Sequence, residues 1–130
     1  MAQETKDLWP ADFGPADPHL PVTILKNQAA ILGKKTNNLV QAEVRTFSGE
    51  KQELMHQFFL VAPVLEYRYL LFTLSHQVHL IYPCKILLSN HEITIWVDSE
   101  SALMEQLGKT FNSDGTKRIV QALITHSQAA

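Results

Sequence analysis

From Leu39 to Val97 the apolar residues return at every second position, and this alternation is the strongest constraint the chain places on its own fold. Val40, Ala42 and Val44 alternate with Gln41, Glu43 and Arg45, and the segments LMHQFFLVA and EYRYLLFTL follow after short interruptions. A period of two places successive side chains on opposite faces of an extended strand. Strands this close in sequence pair antiparallel, because parallel neighbours need a crossover of about a dozen residues or more. The stretch therefore predicts a five-stranded antiparallel β-meander.

The flanks change period. Leu25, Gln28, Ala29 and Leu32 fall at helical spacing behind Pro21, with Ile24 and Ile31 widening the apolar stripe. GKKTNN ends that helix: its lysines suit the dipole of a last turn, and Asn37 or Asn38 tolerates a left-handed cap. After the strands, Asp98 or Ser99 can cap a helix carrying Leu103, Leu107 and Phe111. Ser113 or Asp114 can cap another with Ile119, Val120, Leu123 and Ile124 on one side. The fold class is α+β: one helix, five strands, two helices. Residues 22–130 form one domain, which suits a chain of 130 residues.

Residues 1–21 read as an extended, acidic, proline-rich arm. Four of the six prolines lie there, at 10, 15, 18 and 21, and each biases its predecessor away from helix. Residues 1–20 carry a net charge of −3, leaving +1 on the rest of the chain. Leu8, Trp9, Phe13 and Leu20 are more apolar bulk than a disordered tail usually holds, so the arm is expected to dock on something.

Turn chemistry sets the expected registers. SGEK (48–51) reads as a two-residue hairpin turn, which puts His56 opposite Glu43. A hairpin centred on Ser75 and His76 pairs Tyr67 with Cys84 and Glu66 with Lys85. One centred on Asn90 and His91 pairs Leu88 with Ile93, Ile86 with Ile95, Lys85 with Trp96 and Cys84 with Val97. Together they predict a core face with Tyr67, Tyr69, Leu71, Val78, Leu80, Tyr82, Cys84, Ile86, Leu88, Ile93, Ile95 and Val97, and a second face with Leu70, Phe72, Leu74, His79, Ile81, Leu87, Thr94 and Trp96. Pro83 implies a bulge or a lost ladder bond in its strand.

These registers decide how the histidines and the single cysteine are read. In an extended strand His76, His79, Cys84 and His91 do not converge on the point that a metal requires, so no metal site and no cofactor are expected. Cys84 has no base on its face and reads as a core residue. No nucleophile elbow, glycine-rich phosphate loop or HExxH is present, and no catalytic residue is assigned. One cysteine makes no internal disulfide, and the apolar runs are too short to span a membrane, so the chain is expected to be cytoplasmic.

The apolar second face needs a cover, since a solvated antiparallel face is mostly polar. Helices on both faces, the arm, or another chain could supply it. The expectation is a non-catalytic protein–protein interaction module, as a homodimer or as the small accessory subunit of a larger complex. Trp9, Phe13, Leu70, Phe72, Ile81 and Trp96 are its candidate contacts. Two other classes compete: a small-molecule or enzymatic pocket between sheet and helices, edged by Tyr67, Tyr69, Tyr82 and Cys84, and single-stranded nucleic-acid binding on sheet aromatics. The near-neutral body disfavours the latter.

Overall fold

The computed structural model describes residues 5–17, 19–89 and 93–130. Helix α1 spans Pro21–Lys35. Strands β1 (Gln41–Ser48), β2 (Glu53–Ala62), β3 (Tyr67–Gln77), β4 (Cys84–Leu88) and β5 (Ile93–Val97) follow in one antiparallel sheet in sequence order. Helices α2 (Glu100–Phe111) and α3 (Asp114–Ala129) close the chain. This is the α+β meander with one helix before it and two after. Residues 5–17 of the arm contain no helix or strand.

The helix ends form where the sequence places their caps. Ser99 Oγ accepts the Ala102 N–H at 3.1 Å, and Ser113 Oγ accepts the Thr116 N–H at 3.3 Å, each satisfying a first-turn donor with no partner inside the helix. Proline opens α1, and Asn37 and Asn38 after it both take positive φ, at 52° and 65°. Those angles let the chain reverse directly into β1.

All three helices pack on one face of the sheet. Ile24 and Leu25 of α1, Leu103 and Leu107 of α2, and Leu123 of α3 share a single buried cluster with Phe58, Leu60, Phe72, Leu74 and Ile86 of the strands. At its centre Phe58 and Phe72 stack across β2 and β3, with ring centroids 5.0 Å apart, and Phe111 tilts against both.

Several registers differ from those the turns suggest. The β4–β5 pairing is the expected one, Cys84 with Val97 through Leu88 with Ile93, although its turn at Asn90 and His91 lies outside the described residues. The first hairpin is longer than two residues: Ser48 pairs with Leu54, and a 3₁₀ turn over Glu50–Gln52 holds Lys51 and Gln52 at positive φ. A Cβ at Gly49 would lie 2.5 Å from the Met55 sulfur, so a larger residue there would have to push that flexible side chain aside. His56 consequently faces Thr46 instead of Glu43. Ser75 and His76 make no turn, since β3 runs on to Gln77 and pairs Phe72 with Leu88 and Ser75 with Lys85. Residues 78–83 form the connection, where the Tyr82–Pro83 peptide is cis. Lys85 accordingly meets Glu53, Nζ to Oε1 at 3.2 Å, in place of Glu66.

A bulge completes the difference. Phe58 pairs with Phe72 and Phe59 with Leu70, so Leu71 is the extra residue on β3. Beyond it the strand's faces exchange, and Phe72 and Leu74, expected on the second face, are fully buried on the helix side.

Candidate functional site

The face turned away from the helices has no secondary structure over it among the described residues. Pairing across the strands lays its side chains out in rows. One row runs Phe47, Met55, Ser75, Lys85, Trp96, and the next Arg45, Gln57, Thr73, Leu87, Thr94. Phe59 and Leu70 lie together in a third. Small Ser75 and Thr73 are buried between longer neighbours, while Phe47 and Leu87 are exposed and Trp96 is 66% exposed. The charges on this face are already committed. Glu43 holds Arg45 at 3.0 Å and Arg68 at 2.9 Å, Arg45 lies over Phe59, and Lys85 lies over the Trp96 ring. The result is a surface of exposed apolar side chains and small polar ones whose charged groups Glu43, Arg45, Arg68, Glu53 and Lys85 are paired with one another.

The predicted contact residues separate on this framework. Trp96 and half-buried Leu70 are on the open face. Ile81 lies half-buried in the 78–83 connection, off the strands. Phe72 is a correction: fully buried against Phe58, it offers nothing to a partner. Trp9 and Phe13 in the arm are 74% and 77% exposed, and their rings meet each other at 5.8 Å. Alternation places Leu87 on the second face with Trp96, but Phe47, Met55 and Phe59 join it there only through the observed β1–β2, β2–β3 and β3–β4 registers. The alternation Phe47, Met55, Phe59 was visible in the sequence; which side it faced was not.

The helix side holds a polar chain that alternation alone did not reveal. His56, 1% exposed, has Nδ1 2.8 Å from Thr46 Oγ1 and Nε2 3.2 Å from His76 Nε2, and His76 Nδ1 lies 2.9 Å from the Gln77 carbonyl. The carbonyl fixes the proton directions. His76 Nδ1–H donates to it, which leaves His76 Nε2 to accept from His56 Nε2–H and His56 Nδ1 to accept from the threonine hydroxyl. Burial first, then His76, then Lys26 push the His56 pKa down to about 4. His56 is therefore neutral and a weak base near pH 7. A hydroxyl, a base and a second imidazole in line resemble a nucleophilic relay, but this base is poorly tuned for one. The arrangement satisfies three polar side chains at the rim of the core.

The remaining candidates lie apart. His79 is exposed in the 78–83 connection. Cys84 is buried, donates to the Ile81 carbonyl at 3.0 Å, and has its thiol pKa pushed up to about 11 by burial, which removes its thiolate at neutral pH. His91 lies outside the described residues. Among the described residues no three His, Cys, Asp or Glu side chains gather to hold a metal ion.

A groove of about 400 Å³ opens between α1 and the two C-terminal helices, floored by Phe58 and Leu60 and walled by Leu32, Met104 and Phe111. Lys35 is the one ionisable side chain on its lining, and none of Tyr67, Tyr69, Tyr82 or Cys84 reaches it. It is a mostly apolar slot whose polar lining is Gln28, Asn112 and Thr116 beside Lys35.

No helix among the described residues is long and apolar enough to cross a membrane. No family model matches the chain, no curated protein matches it, and no solved structure matches it.

Proposed function

We propose that this chain is a non-catalytic protein–protein interaction module, acting as a homodimer or as the small accessory subunit of a larger complex, with the open sheet face as its contact surface. The observation that carries the reading is the one-sided packing: three helices share one face, and the other presents Phe47, Leu87 and Trp96 to solvent. An apolar face of this kind marks an interaction surface. Interfaces concentrate their energy in a few aromatic anchors set among near-neutral contacts, and Trp96 with Leu87 beside it in the next row suits that role. The self-paired charges support the same reading, since a face whose ions already neutralise one another can be dried at lower cost than one carrying unpaired ions.

The test is the mass of the full chain in its native extract, measured by sizing beside the purified protein, for wild type and for Leu87→Glu with Trp96→Glu. The wild-type chain should run above single-chain mass, and the double variant should fall back toward it with an unchanged circular dichroism spectrum. A wild-type chain at single-chain mass in the extract, or a double variant that keeps the larger mass, would overturn the reading.

A further inference from the structure

The sheet has two edges, and they are defended differently. The β1 edge carries Glu43 and Arg45, and α1 runs along it, with Lys26, Ala29, Ala30 and Gly33 facing Gln41–Val44 across a shallow cleft. Charged side chains and a covering helix are the usual ways to keep a strand edge from pairing with another chain. β5 has neither. Its five residues, Ile-Thr-Ile-Trp-Val, include no charge, no proline and no glycine, and among the described residues no strand lies outside it in the sheet. Apolar side chains stand exposed on both sides of it: Ile93 on the helix side at 48%, Trp96 on the open face at 66%.

We infer that a second copy of this chain occupies the β5 edge, by antiparallel pairing of β5 with β5 about a two-fold axis through Ile95. This rests on the reading above that the chain works by association, and it places a second copy at the β5 edge, beside the open face instead of over it. The register follows from side-chain parity. An antiparallel pair keeps opposed residues on the same face, so centring on Ile95 sets Ile93 opposite Val97 of the second copy and Thr94 opposite its Trp96. Every opposed pair then joins β-branched or aromatic residues, the combinations that stabilise a sheet, and no charge meets a like charge. A two-fold axis makes each such contact twice. The same axis, perpendicular to the sheet, leaves both helix layers on one side and joins the two open faces into one continuous surface. Each Trp96 then lies over Thr94 of the other copy, with that copy's Leu87 next in the row.

β1 is a poorer self-partner. α1 flanks it, and it carries the charges of Glu43 and Arg45, which a second β1 would bring against their own copies.

The experiment uses the full chain at several concentrations, with absolute mass by light scattering. Two exposed positions take the same charge: Thr94→Lys puts an ammonium on the β5 edge, and Ile31→Lys puts one on α1 as a control for charge alone. A third variant, Ile95→Cys, places one thiol on the proposed axis, and buried Cys84 in the wild type supplies the background. The expected result is a wild-type dimer, a dissociation constant raised at least tenfold by Thr94→Lys and little changed by Ile31→Lys, and an interchain disulfide formed by Ile95→Cys under mild oxidation. A dimer unaffected by Thr94→Lys and uncross-linked at position 95 would overturn the β5 pairing and leave the interaction reading standing. A purified chain that is monomeric at every concentration, yet large in its extract, would remove the second copy and retain a different partner. Monomeric in both, the chain would lose both readings.

Discussion

Phe72 and Trp96 belong to the same sheet, yet one is sealed beneath three helices and the other stands in water. On the helix side, Phe58 and Phe72 stack and half-buried Phe111 closes over them, leaving the two strand rings 2% and 0% exposed. On the open side the large residues are spaced by Ser75 and Thr73, and their neighbours are charges held in pairs. The first arrangement is that of a core. The second is an apolar surface left without a cover. The contrast shows that alternation in a strand says how many faces there are and not which one is dry.

Substitution should break the contrast most sharply. Phe72→Ala leaves a cavity at the centre of the packed cluster and should cost about 3–5 kcal/mol of unfolding free energy. Trp96→Ala removes a side chain that the single chain barely packs and should fall within about 0.5 kcal/mol. Urea titration of both variants, read by circular dichroism at a concentration where the protein is monomeric, checks the pair. Similar costs at the two positions would mean that the open face is covered within one chain.

Acid should act on the buried side as well. His56 ordinarily would titrate near 6.5 and in the fold is held down to about 4, so between those values the unfolded chain binds the proton more readily than the native one. Stability is therefore lost as the pH falls through that window. The loss of denaturation midpoint from pH 7 to pH 5 should be smaller in His56→Gln than in wild type. An equal slope in both would show that the imidazole is not the group responsible. The smallest effect belongs to the open face: Glu43→Gln weakens two exposed ion pairs and should change stability by no more than about 1 kcal/mol, less in high salt.

The order and type of elements were legible because each has a strong local cause: serine caps at 99 and 113, proline at 21, paired asparagines at 37 and 38, and alternation between them. The β4–β5 register was legible too, since a turn centred on Asn90 and His91 sets the pairing and alternation excludes the one-residue slips that would part Cys84 and Ile86 from Ile95 and Val97. What failed was parity over distance. Five residues between the paired Ser48 and Leu54 where two were expected, nine between the paired Ser75 and Lys85, and one bulge at Leu71 each shift alternation by an odd step, and none has a decisive local signature. That is why Phe72 moved from the contact set to the core, and why His56 found Thr46 and His76 instead of Glu43. Trp96 kept its place because it lies in the one hairpin whose register was right.

Both tryptophans of the chain, Trp9 and Trp96, are largely in water, one on the arm and one on the open face. Their indoles consequently emit as solvated chromophores in the single folded chain, and unfolding offers them little further change. Whatever settles on the arm or on the sheet must dry one of them and shift its emission to the blue. The molecule is thus nearly blind, in its own fluorescence, to losing its fold, and responsive to acquiring a neighbour.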